Sequence, residues 1–276
     1  MERPIITFLT DFGLDGAAAT CRGVMLSICR DAQIVDIGHT VRKYAIADGA
    51  WILRASLPFM PVGIHVGVVD PGVGTERRPI AIRVARGDVL VGPDNGLLLP
   101  PAEALGGAEA ARTLTNRDYW LPATTYTFQG RDIFSPVAAH LAAGSAVFEQ
   151  VGPEVQLDEL VRLPAPSAAV RDGALETAVT YVDSFGNVRL AGTREDLATA
   201  IGSLDGEPPV DVLLGAGGAA GGRETATFRQ TFGLAPVGSS LVYVDSSGGL
   251  AIADNQGNAA ARLGLAVGDR VRITRA

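Results

Sequence analysis

The hydrophobic pattern of the chain changes once, near residue 165, and this change predicts two domains. Upstream of it, apolar runs typical of strands alternate with alanine-rich amphipathic segments typical of helices. This alternation is characteristic of an α/β domain. We therefore predict a three-layer α/β domain with a largely parallel sheet over residues 1–165. The predicted strands are 5–9, 34–37, 64–70, 80–85 and 89–91, and the predicted helices lie near 16–30, 46–57 and 133–143.

Downstream of residue 165 the pattern consists of short strands separated by turn signals. The one helix predicted there is 195–201. Closely spaced short strands without long helices are typical of a small barrel or sandwich. We predict an all-β barrel domain over residues 172–276. Its predicted strands are 177–182, 187–190, 210–214, 241–245, 250–253 and 270–273.

The composition of the chain limits which binding partners and which cellular compartment we expect for the protein. The chain is 47% hydrophobic with a formal charge of −7, which argues against nucleic acid or an acidic membrane as the main partner. No run approaches the roughly 20 apolar residues that a membrane helix needs. Cys21 and Cys29 would lie about 12 Å apart on a helix, beyond the roughly 7 Å that a disulfide allows. The first residues show no signal-peptide pattern, and we expect a cytoplasmic protein.

Acidic turns rich in glycine follow several of the predicted strands of the first domain. The first, Thr10-Asp11-Phe12-Gly13, follows the first strand, and Asp70-Pro71-Gly72 follows the third. Two more are Gly92-Pro93-Asp94-Asn95-Gly96 and Gly130-Arg131-Asp132. The carboxyl ends of parallel strands border the ligand crevice of an open α/β sheet, so these carboxylates are candidates for binding or catalysis. Each also has a structural alternative, since aspartate commonly caps its own turn.

Five spaced motifs together resemble one family, the S-adenosyl-L-methionine (SAM) hydroxide adenosyltransferases, which are relatives of the fluorinase and chlorinase. They are Thr10-Asp11-Phe12-Gly13, Val69-Asp70-Pro71-Gly72-Val73-Gly74-Thr75 with Arg77, Gly92-Pro93-Asp94-Asn95-Gly96, Phe128-Gln129-Gly130-Arg131-Asp132-Ile133-Phe134 and Asp183-Ser184-Phe185-Gly186-Asn187. The resemblance spans nearly the whole chain. It implies an N-terminal α/β domain, a C-terminal β-barrel, and a homotrimer whose active sites lie between subunits.

The resemblance implies hydrolysis of SAM to adenosine and methionine, without a cofactor or metal. Its catalytic set corresponds here to Asp70, Arg77 and Gln129. A carboxylate can accept a proton from water, and a guanidinium can stabilise the developing hydroxide. The family usually has histidine at the third position. Glutamine can orient a water molecule but cannot take its proton.

The resemblance also implies substrate contacts. Asp11 corresponds to the carboxylate that grips the ribose diol, and Tyr44 to an aromatic wall near the ribose. Phe185 and Asn187 correspond to the adenine pocket, Asp183 to the partner of the methionine ammonium, and Ser246 and Ser247 to the methionine carboxylate site. Phe128 and Gly130 complete the candidate substrate-binding residues. Tyr44 and Phe185 have an alternative role as core or interface aromatics.

Three other functions stay open on the sequence alone. A halogenase is one, although the halogenases have tyrosine in place of Asp70, and a carboxylate repels a halide by about 4 kcal/mol at ~4 Å with an effective dielectric of ~20. A non-catalytic adenosine- or SAM-binding protein is the second, favoured by Gln129. An Mg²⁺-dependent phosphohydrolase using the acidic turns is the third.

Overall fold

The computed structural model describes residues 3–165, 167–215 and 222–276. The chain divides into two compact units, Met1–Leu163 and Pro164–Ala276. Residues 216–221 lie outside the described residues; they belong to the glycine-rich segment that connects two strands of the second unit.

The first unit contains a mixed sheet with helices on both faces. The strands are β1 Ile5–Thr10, β2 Gln33–Gly38, β3 Ile64–Val68, β4 Pro79–Val84, β5 Val89–Pro93, β6 Ala108–Thr113 and β7 Glu154–Val155, in the order β2-β1-β3-β5-β4-β6-β7. The helices are α1 Ala17–Ile28, α2 Ile46–Ser56, α3 Leu99–Ala104 and α4 Ser135–Ala142, the last preceded by a π-helical turn at Gly130–Phe134. Short 3₁₀ turns lie at Leu57–Phe59, Arg117–Tyr119, Phe148–Gln150 and Leu157–Glu159.

The three layers follow from the alternation of apolar side chains along the strands. Phe8 and Val66 pack on one face with Met25 of α1, and Leu9 packs on the other face with Leu53 of α2. A strand exposes successive side chains to opposite faces, so strands that are buried on both faces need a helix layer on each side. The predicted three-layer α/β class is confirmed.

The sheet is mixed rather than largely parallel. Strands β2, β1, β3 and β5 are parallel to one another, whereas β4 is antiparallel to both β5 and β6, and β7 is antiparallel to β6. Only four residues connect β4 to β5. A connection this short allows an antiparallel hairpin, whereas a parallel pair needs a crossover of a dozen or more residues.

The second unit is a closed barrel. Its strands are β8 Ala169–Arg171, β9 Ala174–Val182, β10 Val188–Leu190, β11 Pro209–Leu214, β12 Arg223–Phe228, β13 Ser240–Val244, β14 Leu250–Asp254 and β15 Arg270–Arg275. Their order is β10-β14-β13-β12-β11-β15-β9-β8, and an extra pairing of β10 with β9 closes a ring of seven strands. Helices α5 Arg194–Ile201 and α6 Ala259–Leu263 and a 3₁₀ turn at Phe232–Leu234 complete the unit. The predicted all-β barrel is confirmed.

Candidate active site

Asp70 lies in a turn that reverses the chain just beyond strand β3. Backbone bonds from Val73 N to Asp70 O (3.3 Å) and from Thr75 N to Gly72 O (3.2 Å) close it. Gly74 has a φ of +78°, and a Cβ there would lie 2.6 Å from the carbonyl oxygen of Tyr126. Glycine is therefore required by both conformation and space. The turn brings Arg77 back onto Asp70.

Asp70, Arg77 and Gln129 form one hydrogen-bonded group. Arg77 Nε donates to Asp70 Oδ1 at 3.1 Å, and Nη2 donates both to Asp70 Oδ2 and, at 2.7 Å, to Gln129 Oε1. The side chains of Asp70 and Arg77 are only 5% and 8% exposed. The guanidinium also lies 5.6 Å from the centre of the Phe134 ring. The structure thus brings all three predicted catalytic residues into contact.

The surroundings of Asp70 make its carboxylate a stronger proton acceptor. Burial raises the pKa of this carboxyl group, and the negative charge of Asp11 adds to the increase, while the charge and hydrogen bonds of Arg77 oppose it. Arg77 Nη1 is buried and has no hydrogen-bond partner among the described residues. A buried donor without a partner is rare and often marks the place of a bound acceptor.

The next arginine along the chain pairs with a second buried aspartate. Arg78 donates to Asp94 Oδ2 from Nε at 3.0 Å and from Nη2 at 2.7 Å. Asp94 Oδ1 accepts from Val161 N at 2.9 Å, and its side chain is only 3% exposed. Asp94 therefore braces the turn after β5, which is the structural alternative of the sequence analysis.

The π-helical turn fixes the segment around Gln129. Asp132 is fully buried and accepts from Arg131 Nε at 2.6 Å and from Thr125 N and Oγ1 at 2.7 and 2.8 Å. A Cβ on Gly130 would lie 2.8 Å from Phe12, so glycine permits this close approach. The Phe128 ring meets Phe12 edge-on at 5.6 Å. Irregular helical turns of this kind occur frequently at functional sites.

Asp11 anchors the loop that contains Tyr44. Asp11 is 9% exposed, and its Oδ2 accepts from Tyr44 N at 2.9 Å. Tyr44 adopts a left-handed backbone conformation with φ 65°, which is strained for a non-glycine residue and is often found at functional sites. Its ring is 70% exposed. An exposed ring in a constrained loop is available to a ligand.

The predicted adenine and methionine residues of the second unit lie in two loops of the barrel. In the hairpin loop between β9 and β10, Asp183 Oδ1 accepts from Phe185 N and Asn187 N, both at 2.9 Å, and Oδ2 accepts from Asn187 Nδ2 at 2.8 Å. Gly186 has a φ of +83°, and a Cβ there would overlap the side chain of Asn258. The Phe185 ring is 76% exposed. Asp183 therefore organises the loop that presents Phe185.

Ser246 and Ser247 are exposed in the loop between β13 and β14. Asp245 Oδ1 holds this loop by accepting from Ser247 N at 2.8 Å and from Gly249 N at 3.1 Å. Its Oδ2 pairs with Arg189 Nη1. Arg189 is not among the residues predicted from the sequence, because a single arginine within a predicted strand carries no signal of a distant carboxylate partner.

The acidic turns of the first unit show no sign of a metal centre. Asp70, Asp94 and Asp132 each pair with an arginine. In residues 3–165, 167–215 and 222–276 no group of three or more His, Cys, Asp and Glu residues is arranged to hold a metal ion. In the same ranges no helix is long and apolar enough to cross a membrane.

Comparison with known proteins assigns both units to the same family. The model of the SAM hydroxide adenosyltransferase N-terminal domain matches residues 6–152, and that of the C-terminal domain matches residues 177–272. The chain is 44% identical to a protein of Salinispora tropica named (R)-S-adenosyl-L-methionine hydrolase, over 98% of each chain. It is 31% identical to a fluorinase of Actinopolyspora mzabensis, over 99% of this chain and 98% of that one.

A solved structure shows the same fold. The crystal structure of an uncharacterized conserved protein from Thermotoga maritima superposes with a TM-score of 0.88 at 34% identity, covering 98% of this chain and 100% of that one.

Proposed function

The chain belongs to the SAM hydroxide adenosyltransferase family, and we propose that it hydrolyses S-adenosyl-L-methionine to adenosine and L-methionine. The hydrolase from Salinispora tropica supports this substrate, since it is 44% identical over 98% of both chains. The observation that carries the proposal is the buried contact of Asp70, Arg77 and Gln129. This group supplies a base and a cation for a single water molecule.

The reaction is an in-line displacement at the ribose C5′ atom. The oxygen of water forms a bond to C5′ while the C5′–S bond breaks, and the bonding pair leaves with sulfur as the neutral thioether of methionine. Asp70 takes the proton that the water loses. Because the sulfonium is a good leaving group, no acid is required at sulfur, and the enzyme's main task is to position and partly desolvate the nucleophile.

Asp70, Arg77 and Gln129 have different roles toward the water molecule that acts as the nucleophile. Asp70 acts as the general base, and its raised pKa improves the driving force for proton transfer. The buried Nη1 of Arg77 is suited to hold the oxygen as negative charge develops on it. The amide of Gln129, fixed through its Oε1 by Arg77, orients the water molecule by hydrogen bonding.

Two sets of residues hold the substrate in this proposal. Asp11, Tyr44, Phe128 and Gly130 of the first unit bind the ribose side. Asp183, Phe185, Asn187, Ser246 and Ser247 of the second unit bind adenine and the methionine part. We propose a homotrimer in which one subunit's first unit and its neighbour's second unit complete each site. The exposure of Tyr44 and Phe185 supports this arrangement, since both aromatic side chains are accessible to the substrate or to a neighbouring subunit. We also propose that this is a bacterial, cytoplasmic enzyme.

The test is product analysis after incubation with SAM. We expect adenosine and methionine in equal amounts, with no halogenated nucleoside in the presence of fluoride or chloride. The rate should survive EDTA, because the strand-end carboxylates are paired with arginines. A halogenated nucleoside would favour the halogenase alternative. Binding of SAM without any product would favour a binding protein. Sedimentation at the mass of three chains would support the homotrimer.

A further inference from the structure

Arg189 lies on the same face of the β9–β10 hairpin as Asp183. In the strand register, Arg189 pairs with Tyr181 and with Ala251, and Ala251 pairs with Tyr243. Asp183 follows Tyr181 by two residues and so shares its face. Electrostatics agree with this placement, since Tyr243 interacts with Asp183, Asp245 and Arg189 together. One face of the barrel thus carries a cation that is paired with Asp245, with Asp183 on the same face.

The Arg189 guanidinium is held close to the loop of Ser246 and Ser247. Its side chain is 10% exposed and pairs with Asp245, whose other oxygen accepts from the amides of the loop. The loop backbone lies against the guanidinium at Gly249, where a Cβ would come within 2.1 Å of Nη2. The absence of a side chain at Gly249 therefore allows the loop and the cation to approach each other.

The charges of this face complement an α-amino acid attached to a cation. Asp183, Asp245 and Arg189 sum to one negative charge. The methionine part of SAM carries an ammonium, a carboxylate and a sulfonium, which sum to one positive charge. Burial and the two carboxylates raise the pKa of Tyr243 to about 12, so its hydroxyl stays neutral and able to donate. Opposite charges arranged in this way confer specificity more than affinity.

We propose that Arg189 determines specificity for the amino-acid part of the substrate by binding its α-carboxylate. The guanidinium has five N–H donors in a planar fork that suits a carboxylate. Asp245 holds the guanidinium in place, and Asp183 binds the neighbouring ammonium. This inference rests on the proposed function and adds to it a residue outside the five motifs.

The experiment compares SAM with decarboxylated SAM, which lacks only the α-carboxylate. The measured quantity is the ratio of kcat/KM for the two compounds. We expect wild type to prefer SAM by about 10- to 100-fold, the range for one charge-assisted hydrogen bond. Arg189→Met should reduce the ratio to about threefold or less, and Arg189→Lys should give an intermediate value.

Two matched controls separate carboxylate binding from loop support. Asp245→Asn loosens both the loop and the Arg189 guanidinium but keeps the cation, so it should lower kcat/KM for both compounds and reduce the ratio less than Arg189→Met does. Arg223→Met removes another arginine of the barrel, one paired with Asp211, and should leave the ratio unchanged. A wild-type ratio in Arg189→Met overturns the proposal. The proposal is also overturned if Asp245→Asn reduces the ratio as much as Arg189→Met does.

The inference can fail separately from the proposed function. If wild type forms no adenosine, the proposed function fails, and the ratio of dissociation constants for the two compounds, measured by calorimetry, still decides the role of Arg189. If Arg189→Met does not fold, the Arg189→Lys ratio decides, and a value equal to wild type overturns the proposal.

Discussion

Replacing Asp70 with asparagine tests the proposed mechanism most directly. Asparagine has almost the same shape as aspartate and can still accept a hydrogen bond from Arg77, but it cannot take a proton from water at neutral pH. General-base catalysis contributes about 10²- to 10⁴-fold to a rate. We therefore expect kcat to fall by about 100-fold or more, with KM changed by only a few-fold, because Asp70 acts on the nucleophile.

The same substitution should lower stability, and this effect must be separated from the catalytic one. Arg77 is 8% exposed, and its guanidinium would lose its paired charge. Breaking a buried ion pair by removing one partner costs about 3–5 kcal/mol. Thermal melting of each variant should accompany the rate measurement, so that only folded protein is counted.

Asp94→Asn is a matched control for this effect. Asp94 follows strand β5 and pairs with Arg78 at 2.7 Å; its side chain is 3% exposed and that of Arg78 is 35% exposed. Its replacement therefore also removes the buried carboxylate of an aspartate–arginine pair. Because the partly exposed Arg78 can be hydrated, we expect a smaller loss of stability than in Asp70→Asn, with kcat within about threefold of wild type. Adenosine release is followed by chromatography under saturating SAM. The mechanism is refuted if folded Asp70→Asn keeps a kcat within threefold of wild type, or if Asp94→Asn loses as much activity.

Three further predictions concern pH, the adenine loop and stability. Because burial raises the pKa of Asp70 and the base must be ionised, kcat should fall on acidification at a pH above the ordinary aspartate value of about 4; a pH–rate profile checks this. Gly186→Ala combines a φ of +83° with overlap of Asn258, and we expect KM for SAM to rise about tenfold while kcat changes little, as steady-state kinetics would show. Asp88 is desolvated, which alone would raise its pKa, but bonds from His65, Arg86 and a backbone amide hold that pKa well below the usual range. The contribution of the Asp88 carboxylate to the free energy of unfolding is therefore present above about pH 4 and lost as the pH falls below it. The difference in unfolding free energy between wild type and Asp88→Asn, measured in urea, should shrink below that pH.

The sequence predicts the fold wherever local pattern and tertiary environment agree. The predicted helices near 16–30 and 46–57 correspond to α1 and α2, and the first strand run corresponds to β1. These segments have strong apolar periodicity, and their burial in the core favours the same secondary structure that the periodicity predicts. The two-unit division likewise follows from a change in pattern that local sequence displays.

Where tertiary pairing overrides local propensity, the local sequence pattern does not predict the strand. Strand β6, Ala108–Thr113, is rich in alanine and charged residues, and its local pattern does not predict a strand. It forms because the free edge of β4 offers an antiparallel partner along its length. β-Propensity depends on such context. Strand β12 was missed for a similar reason, since its pattern lacks a continuous apolar run.

The candidate site shows the same division. Arg77 lies 7 residues after Asp70, but Gln129 lies 52 residues beyond Arg77, and only the motif resemblance predicts that the three act together. The ion pairs of Arg78 with Asp94 and of Arg189 with Asp245 carry no local signal. Long-range pairs are fixed by the topology of the sheet and barrel, which a single sequence does not display.

The consecutive arginines before β4 limit how this region can evolve. Arg77 pairs with Asp70, which follows strand β3, whereas Arg78 pairs with Asp94, which follows strand β5. Neighbouring positions of an extended chain are expected to point in opposite directions in this way. Inserting or deleting one residue between the turn and the strand would exchange the two guanidinium groups. The length of this connection therefore matters to the site as much as the identity of its two arginines does, and the site should tolerate a substitution in the turn better than a change in its length.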